Sequence, residues 1–248
     1  MNMDVLKDRR EITVKAVRFP QQRGSVLYAC APCVTESIAG HGAGRKADKI
    51  HMISALLEHL AGMEGSSWTD GRFSDRAAYP IQVVRGPLGR PRLLLGEQRG
   101  PAIAFSECGG NVWAALSGEG SDIGIDAAGA DEFPSEYPFH RVFYPQELQH
   151  ALGLAGGDLE KASALLWSIK EAVVKALGCA FHLVDPRQIT VYPSAGGNGE
   201  YTFPVGLSGK ALARFPLAAR GSLWVRSLPQ GKMWLSIALL SRRPTGRE

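Results

Sequence analysis

The chain has 248 residues, of which 45% are hydrophobic and 21% charged, with a net charge of +4 and a pI near 8.9. That is ordinary globular composition, long enough for one large domain or two modest ones. The mild positive balance suits an anionic ligand or an acidic partner and is too weak to argue for nucleic acid. No apolar run reaches the roughly 18 residues a membrane helix needs, and the first twenty residues are charged and lack the apolar stretch of a secretory signal. A cytoplasmic location, away from membranes, is the expectation.

In chain order, the first apolar run is Val26-Leu-Tyr-Ala-Cys30, which leads into Cys30-Ala-Pro-Cys33. The spacing is that of a zinc knuckle or a redox pair. However, no second Cys-x-x-Cys follows, and His41 is the only extra candidate ligand nearby. Buried structural thiols in a reducing compartment are the default for such a pair. Residues 45–62 then read as an amphipathic helix that opens with Arg45, Lys46 and Lys49 and stops at Gly62. A strand-like run, 81–84, precedes a Gly- and Pro-rich turn, 86–91, containing Gly89-Arg90-Pro91. Phe105-Ser-Glu-Cys-Gly109 comes next, and Val112-Trp-Ala-Ala-Leu-Ser117 reads as a strand.

Ser121-Asp-Ile-Gly-Ile-Asp126 reads as a short apolar strand ending on an acidic residue. Segment 133–150 is rich in aromatics and includes Phe143-Tyr-Pro-Gln-Glu147, where Pro145 can start a helix. The spacing of Leu165, Ile169, Ala172, Val173 and Ala176 predicts a second amphipathic helix over 161–178, again stopped by glycine. A strand-like run at 188–192, a turn at 193–199 and a β-rich run at 233–240 follow, and 242–248 reads as a frayed tail.

The order helix, strand, turn, strand, strand thus occurs twice. It predicts an α+β protein of two pseudo-symmetric lobes, 1–118 and 119–241.

The second helix carries Trp167-Ser-Ile-Lys-Glu-Ala-Val-Val-Lys175. At about 100° per residue, Ser168, Glu171 and Lys175 fall on one flank of its apolar stripe. A Glu and a Lys at i and i+4 are usually surface decoration. With Asp126 upstream they become a candidate metal–phosphate site, because Mg²⁺ takes one or two protein carboxylates and leaves its other positions to water and phosphate.

The set Gly124-Ile-Asp126, Phe143-Tyr-Pro-Gln-Glu147 and Trp167-Ser-x-Lys-Glu-Ala-x-x-Lys175 resembles the 4′-phosphopantetheinyl transferase superfamily in residue type, order and spacing. The chain length is that of its longer, two-lobed, Sfp-type members, which are monomers with coenzyme A between the lobes.

The resemblance implies transfer of the 4′-phosphopantetheine arm of coenzyme A to a serine of an acyl or peptidyl carrier protein, with Mg²⁺, releasing 3′,5′-ADP. It implies that Asp126 and Glu171 hold the metal, with Glu171 as the base or its orienter. Lys175 would contact the pyrophosphate. Arg45, Lys46, Lys49, Arg90, Ser106 and Lys170 would contribute to the coenzyme A cleft.

Two departures stand out. Many relatives carry a second acid two positions after the aspartate, where this chain has Ala128. Where they show Ser-His, this chain has Ser106-Glu107. A carboxylate repels phosphate unless a cation intervenes, so Glu107 is a further candidate metal ligand. These departures keep open a catalytically weakened homologue that binds coenzyme A or a carrier. The net charge and the Cys-x-x-Cys keep open a non-enzymatic basic binding module.

Overall fold

The computed structural model describes residues 12–20, 25–33, 43–63, 80–118, 120–134, 136–197, 199–220 and 222–241. Three antiparallel sheets are formed by the described residues. The first has strand order β1-β2-β7-β6, from β1 (Val14–Arg18), β2 (Ser25–Pro32), β6 (Ala102–Cys108) and β7 (Asn111–Ser117). The second has order β8-β12-β11-β10-β9, from β8 (Ser121–Gly129), β9 (Ile189–Val191), β10 (Tyr201–Leu207), β11 (Ser222–Gln230) and β12 (Met233–Ser241). A small third sheet is built from β3 (Ile81–Arg85), β4 (Pro91–Leu95) and β5 (Gln98–Arg99).

Alternation along each strand sorts the core into layers. Even-numbered β8 residues Gly124, Asp126 and Ala128 face helix α4 (Leu159–Leu177), while Ile123, Ile125 and Ala127 face the first sheet. There they meet Val17, Val26, Tyr28, Ala104, Trp113 and Ala115. The far face of the first sheet (Leu27, Ala29, Val112, Ala114, Leu116) packs on Met52, Ile53, Leu56 and Leu60 of helix α1 (Ala43–Gly62). The order of layers is therefore helix, sheet, sheet, helix.

The chain is α+β, as the sequence implies. The two halves share part of their order: β2 leads to α1 and pairs with β7, while β8 leads to α4 and pairs with β12. The correspondence breaks after the helices. β9 joins the second sheet through β10, whereas β3, β4 and β5 stand apart as their own sheet.

Helix α4 starts where its chemistry allows. Asp158 accepts the Lys161 amide at 3.0 Å as N-cap. It ends at Gly178, which adopts φ 74°, a conformation glycine reaches without penalty. The aromatic segment does not run into α4. Residues Phe139–Val142 form the short helix α2 and Pro145–Leu154 form α3, and the positive-φ glycines 156 and 157 separate α3 from α4. The remaining helices, α5 (Gly209–Arg214) and α6 (Pro216–Arg220), connect β10 to β11.

Asp126 is not at a strand end. β8 continues three residues beyond it, because pairing with β12 extends to Gly129↔Met233. Cys30 and Cys33 do not form a joint site. Cys30 packs into the core between the sheets and Cys33 into the α1 core, on opposite faces, and both are free thiols. The tail 242–248, His41 and the side chains of Arg45 and Lys46 lie outside the described residues.

Candidate active site

β8 and α4 approach closely enough that Gly124 has no room for a side chain. A Cβ there would lie 1.9 Å from the Ala172 carbonyl oxygen and 2.6 Å from the Ala176 nitrogen. This contact brings Asp126, two residues along the same face of β8, against Glu171 and Lys175 on the flank of α4. Lys175 Nζ donates to Asp126 Oδ1 at 2.6 Å. Ser106 Oγ, from the adjoining edge strand β6, donates to the same oxygen at 3.0 Å and accepts the Ala127 amide at 3.1 Å.

Burial raises the pKa of Asp126 above the ordinary carboxylate value, opposed by the charge and hydrogen bond of Lys175. Glu171 is raised as well, first by burial and then by the negative charge of Asp126, again opposed by Lys175. Glu132 adds to the push on both. It lies in the 3-10 turn after β8, where its Oε1 accepts the Gly129 amide at 2.8 Å.

A cleft of about 590 Å³ opens beside this cluster. Lys49, Arg85, Arg90 and Lys175 supply four cations to its lining, and Phe105, Ile103 and Ile123 supply apolar surface. Three of the cations are held by acids: Lys49 by Glu107 at 2.8 Å, Arg90 by Asp122 at 2.6 Å and Lys175 by Asp126 at 2.6 Å. Four basic groups around one concavity concentrate positive potential and favour a multiply anionic ligand.

Several expected roles need correction. Lys170 does not reach the cleft. It is fully buried, paired with Glu147 at 2.9 Å, and donates to the carbonyls of Val142, Pro186 and Ile189. Ser168 is equally buried, hydrogen-bonded to Ser236 at 2.7 Å. Ser106 holds Asp126 and is absent from the cleft lining.

Glu107 does not join Asp126, because neighbouring strand residues point to opposite faces. Ser106 takes the Asp126 side, so Glu107 turns towards α1 and meets Lys49. Trp167 packs on Phe181 at 4.9 Å between ring centroids. Lys49, Arg90 and Lys175 line the cleft, and Lys175 ties it to Asp126 and Glu171 beside it.

Sequence reasoning missed three charged residues. Arg85 closes β3 beside the same turn as Arg90. Asp122 shares the Asp126 face of β8 by strand alternation, and Glu132 follows Gly129 at capping-box spacing. Each carried a signal in the sequence.

A buried Asp126, a half-buried Glu171, a lysine bonded to Asp126 and a cationic cleft define a site suited to a phosphate ester or pyrophosphate. Residues 122–218, which hold Asp126, Glu171 and Lys175, match the model of the 4′-phosphopantetheinyl transferase superfamily. Over 99 residues the chain is 35% identical to a protein of Synechocystis sp. whose name, 4′-phosphopantetheinyl transferase slr0495, is itself provisional. That match covers 40% of this chain and 40% of the relative, so the chain spans under half of the relative's length.

Among solved structures, a complex of ACPS with CoA from Chronobacterium ammoniagenes is similar at 22% identity and TM-score 0.41. It covers 51% of this chain and 100% of that one. Thermotoga maritima holo-[acyl-carrier-protein] synthase is similar at 17% identity and TM-score 0.36, covering 49% and 64%.

Proposed function

We propose that this chain moves the 4′-phosphopantetheine arm of coenzyme A onto a serine hydroxyl of an acyl or peptidyl carrier protein, releasing 3′,5′-ADP. The observation that carries this reading is the Asp126–Lys175 contact at the edge of a cleft lined by Lys49, Arg85 and Arg90. Residues 1–118 then supply most of the cations for the phosphates, and 119–241 supply the carboxylates and Lys175.

In this reading the cations bind the coenzyme A phosphates and Glu171 takes the serine proton. The serine oxygen bonds to the β-phosphate as the bond to the departing 3′,5′-ADP oxygen breaks. Lys175 neutralises the charge that collects there.

Among the described residues no three His, Cys, Asp or Glu converge into a metal cage. Asp126 and Glu171 nevertheless fit a hard divalent ion. They are two oxygen donors whose charges repel, and Mg²⁺ usually takes only one or two protein carboxylates. A bound Mg²⁺ would withdraw charge from the pyrophosphate.

The test is the intact mass of an apo carrier protein incubated with this chain, coenzyme A and Mg²⁺. Addition of one phosphopantetheine arm supports the reading. Coenzyme A binding without any mass gain favours the weakened homologue suggested by Ala128. Binding of neither coenzyme A nor carrier sinks both.

A further inference from the structure

Asp122 is a buried acid with no part in the proposed chemistry. It stands on β8 four residues before Asp126 and on the same face, 7% exposed. Its Oδ1 receives Arg90 Nη2 at 2.6 Å. Arg90 comes from the tight turn between β3 and β4, where Gly86 N donates to Arg90 O at 2.7 Å. The arginine stem lies over Gly178, where a Cβ would sit 2.9 Å from Arg90 Cδ. Gly178 is therefore required twice, by its φ of 74° and by this contact. One side chain from the three-stranded sheet thus reaches both β8 and the C-terminal end of α4, where a cation is electrostatically favoured. Lys175 is in the last turn of that helix.

We infer that Asp122 is a positioning residue: by fixing Arg90, it pins the β3–β4 turn against the end of α4 and so sets the geometry of the anion-binding cleft. Leu88 at the apex of the turn is 55% exposed and has φ 59°, so its side chain does not anchor the tip in the core. Arg85, Arg90 and Lys175 all line the cleft, so the spacing of its cations depends on where this turn rests.

Two effects compete when Asp122 loses its charge. The Arg90 charge is no longer offset, which attracts anions, but salt screens a partly exposed charge within about 8 Å. Arg90 also loses its fixed orientation, and a guanidinium fork binds phosphate oxygens well only when aimed. Orientation wins, so affinity falls.

The ligand part of this inference rests on the coenzyme A reading; the structural part does not. The experiment is a double-mutant cycle of Asp122→Asn and Arg90→Gln, read by thermal melting without ligand and by calorimetric titration with coenzyme A. Asp122→Asn should lower the melting temperature by about 4 °C or more, and the double variant should melt close to the worse single variant.

Asp122→Asn should weaken coenzyme A binding about tenfold in the native background and less than about twofold on top of Arg90→Gln. Arg90→Lys, which keeps the charge and loses the fork, should weaken binding to a similar extent. Additive melting shifts, or unchanged or tighter coenzyme A binding by Asp122→Asn, would overturn the inference. If the native protein binds no coenzyme A, the transferase reading fails, and the melting cycle alone decides whether Asp122 and Arg90 form the strut.

Discussion

Lys170 and Glu147 together take the place of a missing strand at the open edge of the five-stranded sheet. β9 ends that sheet, and its outward amide and carbonyl would otherwise be left without partners. Glu147 Oε1 accepts the Val191 amide at 2.8 Å, and Lys170 Nζ donates to the Ile189 carbonyl at 2.9 Å. The two side chains close the arrangement with an ion pair at 2.9 Å. Glu147 Oε2 also accepts the Tyr144 amide at 3.0 Å, tying in the start of α3.

Removing one partner leaves a buried charge, so Glu147→Gln or Lys170→Met should each cost about 3 kcal/mol or more in denaturant unfolding. An isolated buried pair can often be replaced by apolar residues without loss. Here the Lys170→Met/Glu147→Leu double variant should remain at least about 2 kcal/mol less stable than the native chain. It strands the Val191 amide and the carbonyls of Val142, Pro186 and Ile189. A neutral double variant would refute the edge-capping role.

The raised carboxyls give stability a pH dependence of defined sign. Asp126 and Glu171 bind protons more tightly folded than unfolded, so their contribution is fully present below the ordinary carboxylate range. It is lost as pH rises from about 4 through their raised folded values. The Asp126→Asn/Glu171→Gln double variant should gain stability relative to the native chain as pH rises through that window. Mg²⁺ should stabilise the native chain more at neutral pH than near pH 5, because it binds only the ionised carboxylates. Glu132→Gln should lower the Glu171 pKa, visible as an acidward shift of the acidic limb of the pH–rate profile. An unmoved limb would show that the Glu132 charge does not reach Glu171.

Gly124→Ala tests the close approach of β8 and α4. The new methyl would meet backbone atoms on both sides of an α4 turn, so helix and strand must separate. The expected cost is about 3 kcal/mol, at the upper end for overpacking. Specific activity per folded molecule should also fall, because Asp126 and Lys175 sit on the two elements forced apart. Native activity in the folded fraction would contradict this.

Charge removal at the site should separate chemistry from binding. Asp126→Ala and Glu171→Ala should reduce transfer by about 100-fold or more, and Lys175→Ala should lower kcat more than it raises KM. Glu107→Gln should leave the Mg²⁺ midpoint unchanged while shifting KM for coenzyme A, since its partner is Lys49 of the cleft. A shifted Mg²⁺ midpoint would return Glu107 to the metal.

What could be read directly from the sequence was local or periodic. The 3.6-residue recurrence from Leu165 to Ala176 specified α4, Gly178 specified its end, and the β-rich runs specified β7 and β12. Motif order pointed to Asp126, Glu171 and Lys175. The first three signals depend on neighbours within a turn or two, and the last on the resemblance of the motifs to a known family, so neither needed the tertiary structure.

Tertiary structure decided which polar groups face which space. Lys170 and Lys175 are both lysines on one helix, five residues apart. Only the backbone carbonyls arriving from residues 142, 186 and 189 turn the first into a buried cap, while the cleft receives the second. Ser106 and Glu107 are adjacent in sequence, yet strand pleating sends one to Asp126 and the other to Lys49. Arg90 gained its partner from β8, 32 residues away. A side chain's protonation and charge depend on what the fold packs around it. The sequence by itself therefore determined the elements and the acids and bases they carry. Only the packing of β8 between its neighbours and α4 decided which of them meet.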